Sequence, residues 1–377
     1  MATLARALGA ATAADRLRAI LKRREAARYF AIDALIESVE SGAIAPLRGR
    51  WLYDLHQRGG RLARRQDVPA EAFWTAAELR REAARLGDDA FGPLFVALSY
   101  RWLSKEHPDP DGFHLRIVAE VVGLYLRLTG DEADYSPLTA AYAAAGLDWK
   151  QVDCAIFWDF GSLYQSPRVG EQVALFPVGL KASNIWYGHA QTVCWMQSEL
   201  PTDFAGASYE VSGWCFVEAA ISAGVKVGSS RLDLGKRTDA AMRFAYTHGG
   251  DNLDTKLTAV CAGRRSPPLA PKEVQRLLET EKRFTNSSDT SVVAGLYRSF
   301  FESIAAAAPR LVFRELAWGA AEAAQLGRVL PRFLQLREVR TRTSEPMRAQ
   351  RPHTSSLAVC ARSWIWAATS SATRASP

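Results

Sequence analysis

The chain has 377 residues, of which 48% are hydrophobic and 23% charged, and its mean hydropathy is -0.12. That balance excludes a wholly disordered chain and supplies enough apolar mass for a sizeable core. No run approaches the ~18 uncharged apolar residues of a membrane helix, and no apolar segment with a small-residue cleavage site opens the sequence. A cytoplasmic protein without a membrane partner is therefore expected.

The net charge of +7 is unevenly placed. Residues 1–92 carry sixteen basic and twelve acidic side chains, residues 337–377 carry seven and two, and the stretch between is slightly acidic. Arginine outnumbers lysine 38 to 9, a bias that GC-rich coding produces without selection for phosphate contacts. A nucleic-acid footprint concentrates positive charge on one face of the folded part. Here the excess lies in the flanks, and no nucleic-acid partner is expected. Cys154, Cys194, Cys215, Cys261 and Cys360 are widely spaced and form no CxxC pair, so they read as reduced, mostly buried thiols.

Residues 1–92 read as a helical N-terminal region. Leu17, Ile20, Leu21, Ala27, Phe30 and Leu35 fall near helical spacing, and Glu71 to Leu86 repeats the pattern. The opening 14 residues contain arginine and no acid, but Asp15, Glu25 and the lack of serine argue against a transit peptide. Residues 93–263 read as an α/β domain. Leu94 to Leu98, Cys154 to Trp158 and Thr192 to Met196 are short continuous apolar runs, the pattern of strands buried on both faces. Helical segments are expected over Leu115–Leu128, Glu171–Tyr187 and Trp214–Ala223, with a fourth strand beginning at Val225–Val227. This alternation predicts a parallel sheet with helices on both faces.

Beyond it, residues 264–308 read as a helical region, with helices at Lys272–Arg283 and Val292–Ala308. In 309–340 the leucine spacing resembles a leucine-rich-repeat fragment with a period of ~28 residues. Residues 341–377, rich in Ser, Thr, Arg and Ala, read as a disordered tail.

Several sites are missing from the sequence: a P-loop, HExxH, a clustered His/Cys set, a GxSxG elbow and a GxGxxG after a strand. No metal site and no resident cofactor are expected. What remains lies at the strand ends, where open parallel sheets bind ligands. The first strand delivers Ser99, Tyr100, Arg101 and Trp102 there, and the second delivers Asp159, Ser162, Tyr164 and Gln165. A helix capped by Ser212 carries Trp214 and Glu218, four apart and on one face. Together these would line a polar pocket with aromatic walls, suited to a nucleotide or sugar.

The same segments carry a family resemblance. Leu98-Ser-Tyr-Arg-Trp102 resembles the LSYxW opening of fungal heterokaryon-incompatibility domains and the LSFRG strand and loop of Toll/interleukin receptor (TIR) domains. Trp158 to Gln165, with Glu171 downstream, resembles the WIDxxCINQ segment of the incompatibility family. Tyr209 to Glu218 resembles both the RxWTxQE motif of that family and the YxxSxWCxxE motif of plant TIR domains. The chain is also similar to protist proteins that share an RWLxxxHPDPDG loop and an FWDFxSLYQ strand.

The resemblance implies a flavodoxin-like, TIR-like sheet in a signalling or defence protein. In enzymatic TIR domains the helical glutamate of WCxxE cleaves the nicotinamide–ribose bond of NAD+, and Glu218 is the matching position. It also implies Ser99, Tyr100, Arg101, Trp102, Asp159, Ser162 and Trp214 as substrate-binding residues, with NAD+ or another nucleotide as ligand. Other TIR domains work only by association, which leaves a self-associating, homo-oligomeric scaffold or one that engages a partner signalling domain. A nucleoside deoxyribosyltransferase, whose nucleophile is also a glutamate, is a third reading.

The residues themselves leave alternatives open. Glu218 could form a structural ion pair with Arg101, and a buried carboxylate must be paired or functional. Asp159 could serve as a turn or capping residue, and Trp214 and Cys215 as core packing. His107 and His189 read as loop and surface residues. The His107–Gly112 loop reads as a lid or a stiff turn, which binds calcium only if other oxygens converge.

Overall fold

The computed structural model describes residues 24–25, 27–87, 94–128, 142–226, 230–237, 261–263, 265–314, 316 and 318–342. The 1–14 segment, Leu17, Ile20 and Leu21, the tail from 343 onward and Cys360 from the sequence reading lie outside them. Among the described residues the main sheet has strands β1 (Leu47–Arg48), β2 (Phe95–Tyr100), β3 (Ala155–Phe157), β4 (Val193–Gln197) and β5 (Arg231–Asp233). Their order is β1-β3-β2-β4-β5. β2 pairs in parallel with β3 and β4, β4 pairs in parallel with β5, and β1 lies antiparallel on the outer edge of β3. The chain is thus a mixed α/β protein with a mostly parallel sheet, as the alternation of apolar runs predicts.

Every residue of β2, β3 and β4 is buried, the mark of a sheet covered on both faces. The helices are α1 (Ile32–Glu40), α2 (Gly49–Gln57), α3 (Ala76–Leu86), α4 (Phe113–Tyr125), α5 (Asp159–Ser162), α6 (Glu171–Gly188), α7 (Gly213–Ser222), α8 (Pro271–Thr280) and α9 (Asp289–Ala307). Alternation along β2 sorts them into two layers. Phe95 meets Trp186 of α6 edge-on at 5.3 Å, whereas Tyr100 meets His114 of α4 at 5.1 Å. On the α4 face, Tyr125 also packs on Trp195 of β4 at 5.5 Å. Helix α2 packs on α4, while α1, α7 and α9 join α6 on the opposite face.

Local chemistry fixes the helix starts. Thr75 and Glu78 form a reciprocal capping box at α3. Asp109, from the HPDPDG loop, is buried, and its carboxylate accepts from the backbone N–H of His114 at 2.9 Å and Leu115 at 2.8 Å. That loop is therefore a helix cap. Of the strand expected to begin at Val225–Val227, Val225 and Lys226 lie outside any strand and Val227 lies outside the described residues; the fourth parallel strand is β5, and Lys226 is a buried side chain bound to His189 and Thr192. His189 is likewise buried and not a surface residue.

Among the described residues one apolar cluster takes in buried side chains from Tyr29 to Phe333. In the C-terminal part, β6 (Arg310–Arg314), α10 (Ala320–Val329) and β7 (Glu338–Arg342) form a strand–helix–strand unit. Its two strands are parallel, Leu311 opposite Val339. Among the described residues no helix is long and apolar enough to cross a membrane.

Candidate functional site at the carboxyl edge of the sheet

The parallel strands leave a switch point between β2 and β4. From β2 the chain moves to β3 on one side, then returns past β2 to β4 on the other. Connections diverge there, and at such a point open parallel sheets place their ligand crevice, above the carboxyl ends of the two strands; the groove of about 840 Å³ lies elsewhere, beside α1 and α6. Ser99 and Tyr100 end β2 at this position, and their side chains leave on opposite faces.

On the α7 face, Ser99 Oγ lies 2.6 Å from Glu218 Oε2 and 2.7 Å from the Tyr209 hydroxyl. With Glu218 ionised, Ser99 donates its one proton to the carboxylate and accepts from Tyr209. The Tyr187 hydroxyl donates to Leu98 O at 3.1 Å and also lies against the Glu218 carboxylate. Ser99 and Tyr209 are buried, while Glu218 retains partial exposure. Burial raises the Glu218 carboxyl to about 8, reinforced by the nearby Asp159 charge and opposed by the Ser99 and Tyr187 hydroxyls.

On the α4 face, Asp159 accepts from the Tyr100 hydroxyl at 2.7 Å, from Trp102 Nε1 at 3.1 Å and from the Phe160 N–H at 2.7 Å. Burial also raises its pKa, and these three donors hold it down. Asp159 therefore anchors the loop after β2 to the start of α5. Trp102 remains partly exposed at the lip, its ring edge-on to Phe160 at 5.8 Å.

The sequence-predicted residues divide as follows. Ser99, Tyr100, Trp102, Asp159 and Glu218 come together at one sheet edge. Arg101 borders the crevice, but its Nε donates to Ala207 O at 3.2 Å, and among the described residues no cation pairs with Glu218. The ion-pair alternative thus finds no geometry. Ser162 is fully buried and accepts from the Trp158 N–H at 3.1 Å, so it braces α5 and does not face the crevice. Trp214 is partly exposed beside Glu218, and its Nε1 donates to Asp289 at 2.9 Å, tying α7 to α9. Cys215 is core, its thiol donating to Tyr100 O at 3.3 Å. Ser212 occupies the N-cap position of α7 but makes no side-chain capping bond.

Two hydroxyls of the site, Tyr187 and Tyr209, were not among the predicted residues. Tyr209 sits in the motif segment nine positions before Glu218, a usable signal. Tyr187 closes an apolar helix and carries no such mark. Among the described residues no group of His, Cys, Asp and Glu could hold a metal ion. Comparison with known proteins finds no matching family, curated protein or solved structure.

Proposed function

We propose that the chain is a TIR-like enzyme that hydrolyses the nicotinamide–ribose bond of NAD+, with Glu218 as its catalytic carboxylate. The observation that carries this reading is a glutamate that has no cationic partner among the described residues and is held by Ser99 at the switch point of a parallel sheet. A carboxylate in that situation costs stability, and sites that bear such a cost are enriched in function. The parallel strand order, with β2 between β3 and β4, is also that of the first strands of a flavodoxin-like sheet, which supports the finer fold assignment.

The chemistry follows from charge. As the C1′–nitrogen bond of NAD+ breaks, its electron pair neutralises the pyridinium ring, and positive charge develops on the ribose. A carboxylate beside C1′ stabilises that cation. Water then adds to C1′ and releases a proton, giving nicotinamide and the ribosyl product. Ser99 orients the carboxylate, and Tyr209 orients Ser99. Burial raises the Glu218 pKa to about 8 in the free protein, and the permanent charge of the pyridinium ring favours its ionised form once substrate binds. The partly exposed indole of Trp102 is the stacking surface for a base. Nicotinamide release by the wild-type chain and by Glu218→Gln tests the proposal.

A second reading, a non-catalytic module that works by association, is favoured by one observation: the exposed apolar residues of α6.

A further inference from the structure

The segment leading into α6 and the first half of that helix present apolar side chains that no other described residue covers. Val169, Val173 and Val178 are 67%, 59% and 51% exposed. They account for three of the five exposed large hydrophobics among the described residues. Ala174 and Pro177 are exposed beside them. Helical spacing sorts this face into two rows, Glu171–Ala174–Val178 and Val173–Pro177–Lys181. Such a stripe rimmed by charge is the composition of an interaction surface.

The flanking charges identify what covers it. Glu171 and Lys181 are both exposed and make no ion pair or hydrogen bond among the described residues. They lie five positions on either side of Phe176. We infer that this face is a two-fold interface with a second copy of the chain, the α6 helices packing antiparallel across an axis at the level of residue 176. That axis sets Glu171 of one copy opposite Lys181 of the other, twice, and Ala174 opposite Val178. An isologous interface requires this self-complementarity, and a partner of uniform charge would leave one of the two ions opposed.

A single helix stripe is small against the ~1,200 Å² of a stable interface. The surface extends toward a groove of about 840 Å³ bounded by α1, the segment before it and α6, lined by Arg24, Arg28, Asp33 and Glu37 as well as by Val178 and Ala182. The inference is independent of whether Glu218 acts on NAD+.

Sedimentation velocity of the full chain, from about 1 to 100 μM, tests it in the micromolar range typical of small interfaces. The wild type is expected to shift from monomer to dimer. Val173→Asp with Val178→Asp, both at exposed positions, holds it monomeric while its circular dichroism is unchanged. Lys181→Glu alone weakens the dimer at least ~10-fold, and adding Glu171→Lys restores it to within ~3-fold. A monomer at every concentration would overturn the inference, as would a dimer indifferent to the valine substitutions or a charge swap that fails to restore it. Dimerisation only after removal of residues 1–23 would also overturn it, because the chain would then cover its own stripe.

Discussion

Ser99 Oγ lies 2.6 Å from Glu218 Oε2, so the end of strand β2 and the middle of helix α7 are joined through one hydroxyl. Ser99 is fully buried, and its hydroxyl also meets Tyr209 at 2.7 Å. Ser99→Ala removes the donor from the carboxylate and leaves the Tyr209 hydroxyl without its partner. The expected loss of stability is about 1–3 kcal/mol, measured by urea unfolding. Because the Ser99 bond holds the Glu218 pKa down, the same variant moves the pH profile of nicotinamide release toward alkali.

The Glu218 carboxyl gives the pH dependence a defined sign. Its pKa rises from 4.5 in the unfolded chain to about 8 in the fold, chiefly through burial, so between these values the folded state binds the extra proton. Stability from this group is full below pH 4.5 and falls as pH rises through 8, with a slope of at most about 1.4 kcal/mol per pH unit. Glu218→Gln lacks that slope. The melting temperature of Glu218→Gln relative to wild type is therefore expected to increase between pH 5 and pH 8, as scanning calorimetry would show. Constant differences across that range would contradict the assignment.

Lys226 shows the opposite dependence. Its ammonium is fully buried and donates to His189 O and Thr192 O at 2.6 Å each, and to Thr192 Oγ1. Burial lowers its pKa from 10.5 to about 7, so above pH 7 the unfolded chain binds the extra proton and stability rises up to pH 10.5. Lys226→Met leaves two buried carbonyls without their donor, at a cost of about 1–3 kcal/mol. It also abolishes the gain between pH 8 and pH 10. Urea titrations at those two pH values check both effects.

Gly188 ends α6 where α7 and α9 converge. A Cβ there would lie 2.7 Å from Phe300 Cε2 and 3.0 Å from Ile221 Cγ2, and Phe300 is wholly buried. Gly188→Ala is expected to cost about 1–3 kcal/mol by overpacking, read from the urea midpoint, with no change in the unfolding slope.

The fold was legible where burial dictates composition. Leu94–Leu98, Cys154–Trp158 and Thr192–Met196 carry continuous apolar runs because strands of a parallel sheet touch helices on both faces, and each matches an observed strand within two residues. β1 was not legible, since Leu47–Arg48 is a two-residue edge segment with no period to read. Nor was β5: Arg231–Asp233 places two charged residues in a strand, while the apolar signal lies at Val225, next to a Lys226 that is buried outside any strand. In the site, Ser99, Asp159 and Glu218 were found because strand ends and helix spacing place them. Their pairing was not, because sequence spacing does not tell which face of β2 each side chain takes until the neighbouring helices are fixed. Arg101 illustrates this: charge alone suggested Glu218 as its partner, whereas its Nε turns to a backbone carbonyl.

Incubation of the purified full-length chain with NAD+, with nicotinamide release followed by chromatography, tests the central claim most directly. The wild type is expected to release nicotinamide, faster as pH approaches 8. Glu218→Gln, whose amide oxygen still accepts from Ser99, should keep the wild-type circular dichroism spectrum and lose at least ~100-fold of the rate, the scale of removing one electrostatic group from a transition state. Equal rates for wild type and Glu218→Gln, or no release by a folded wild type, would contradict the role assigned to Glu218.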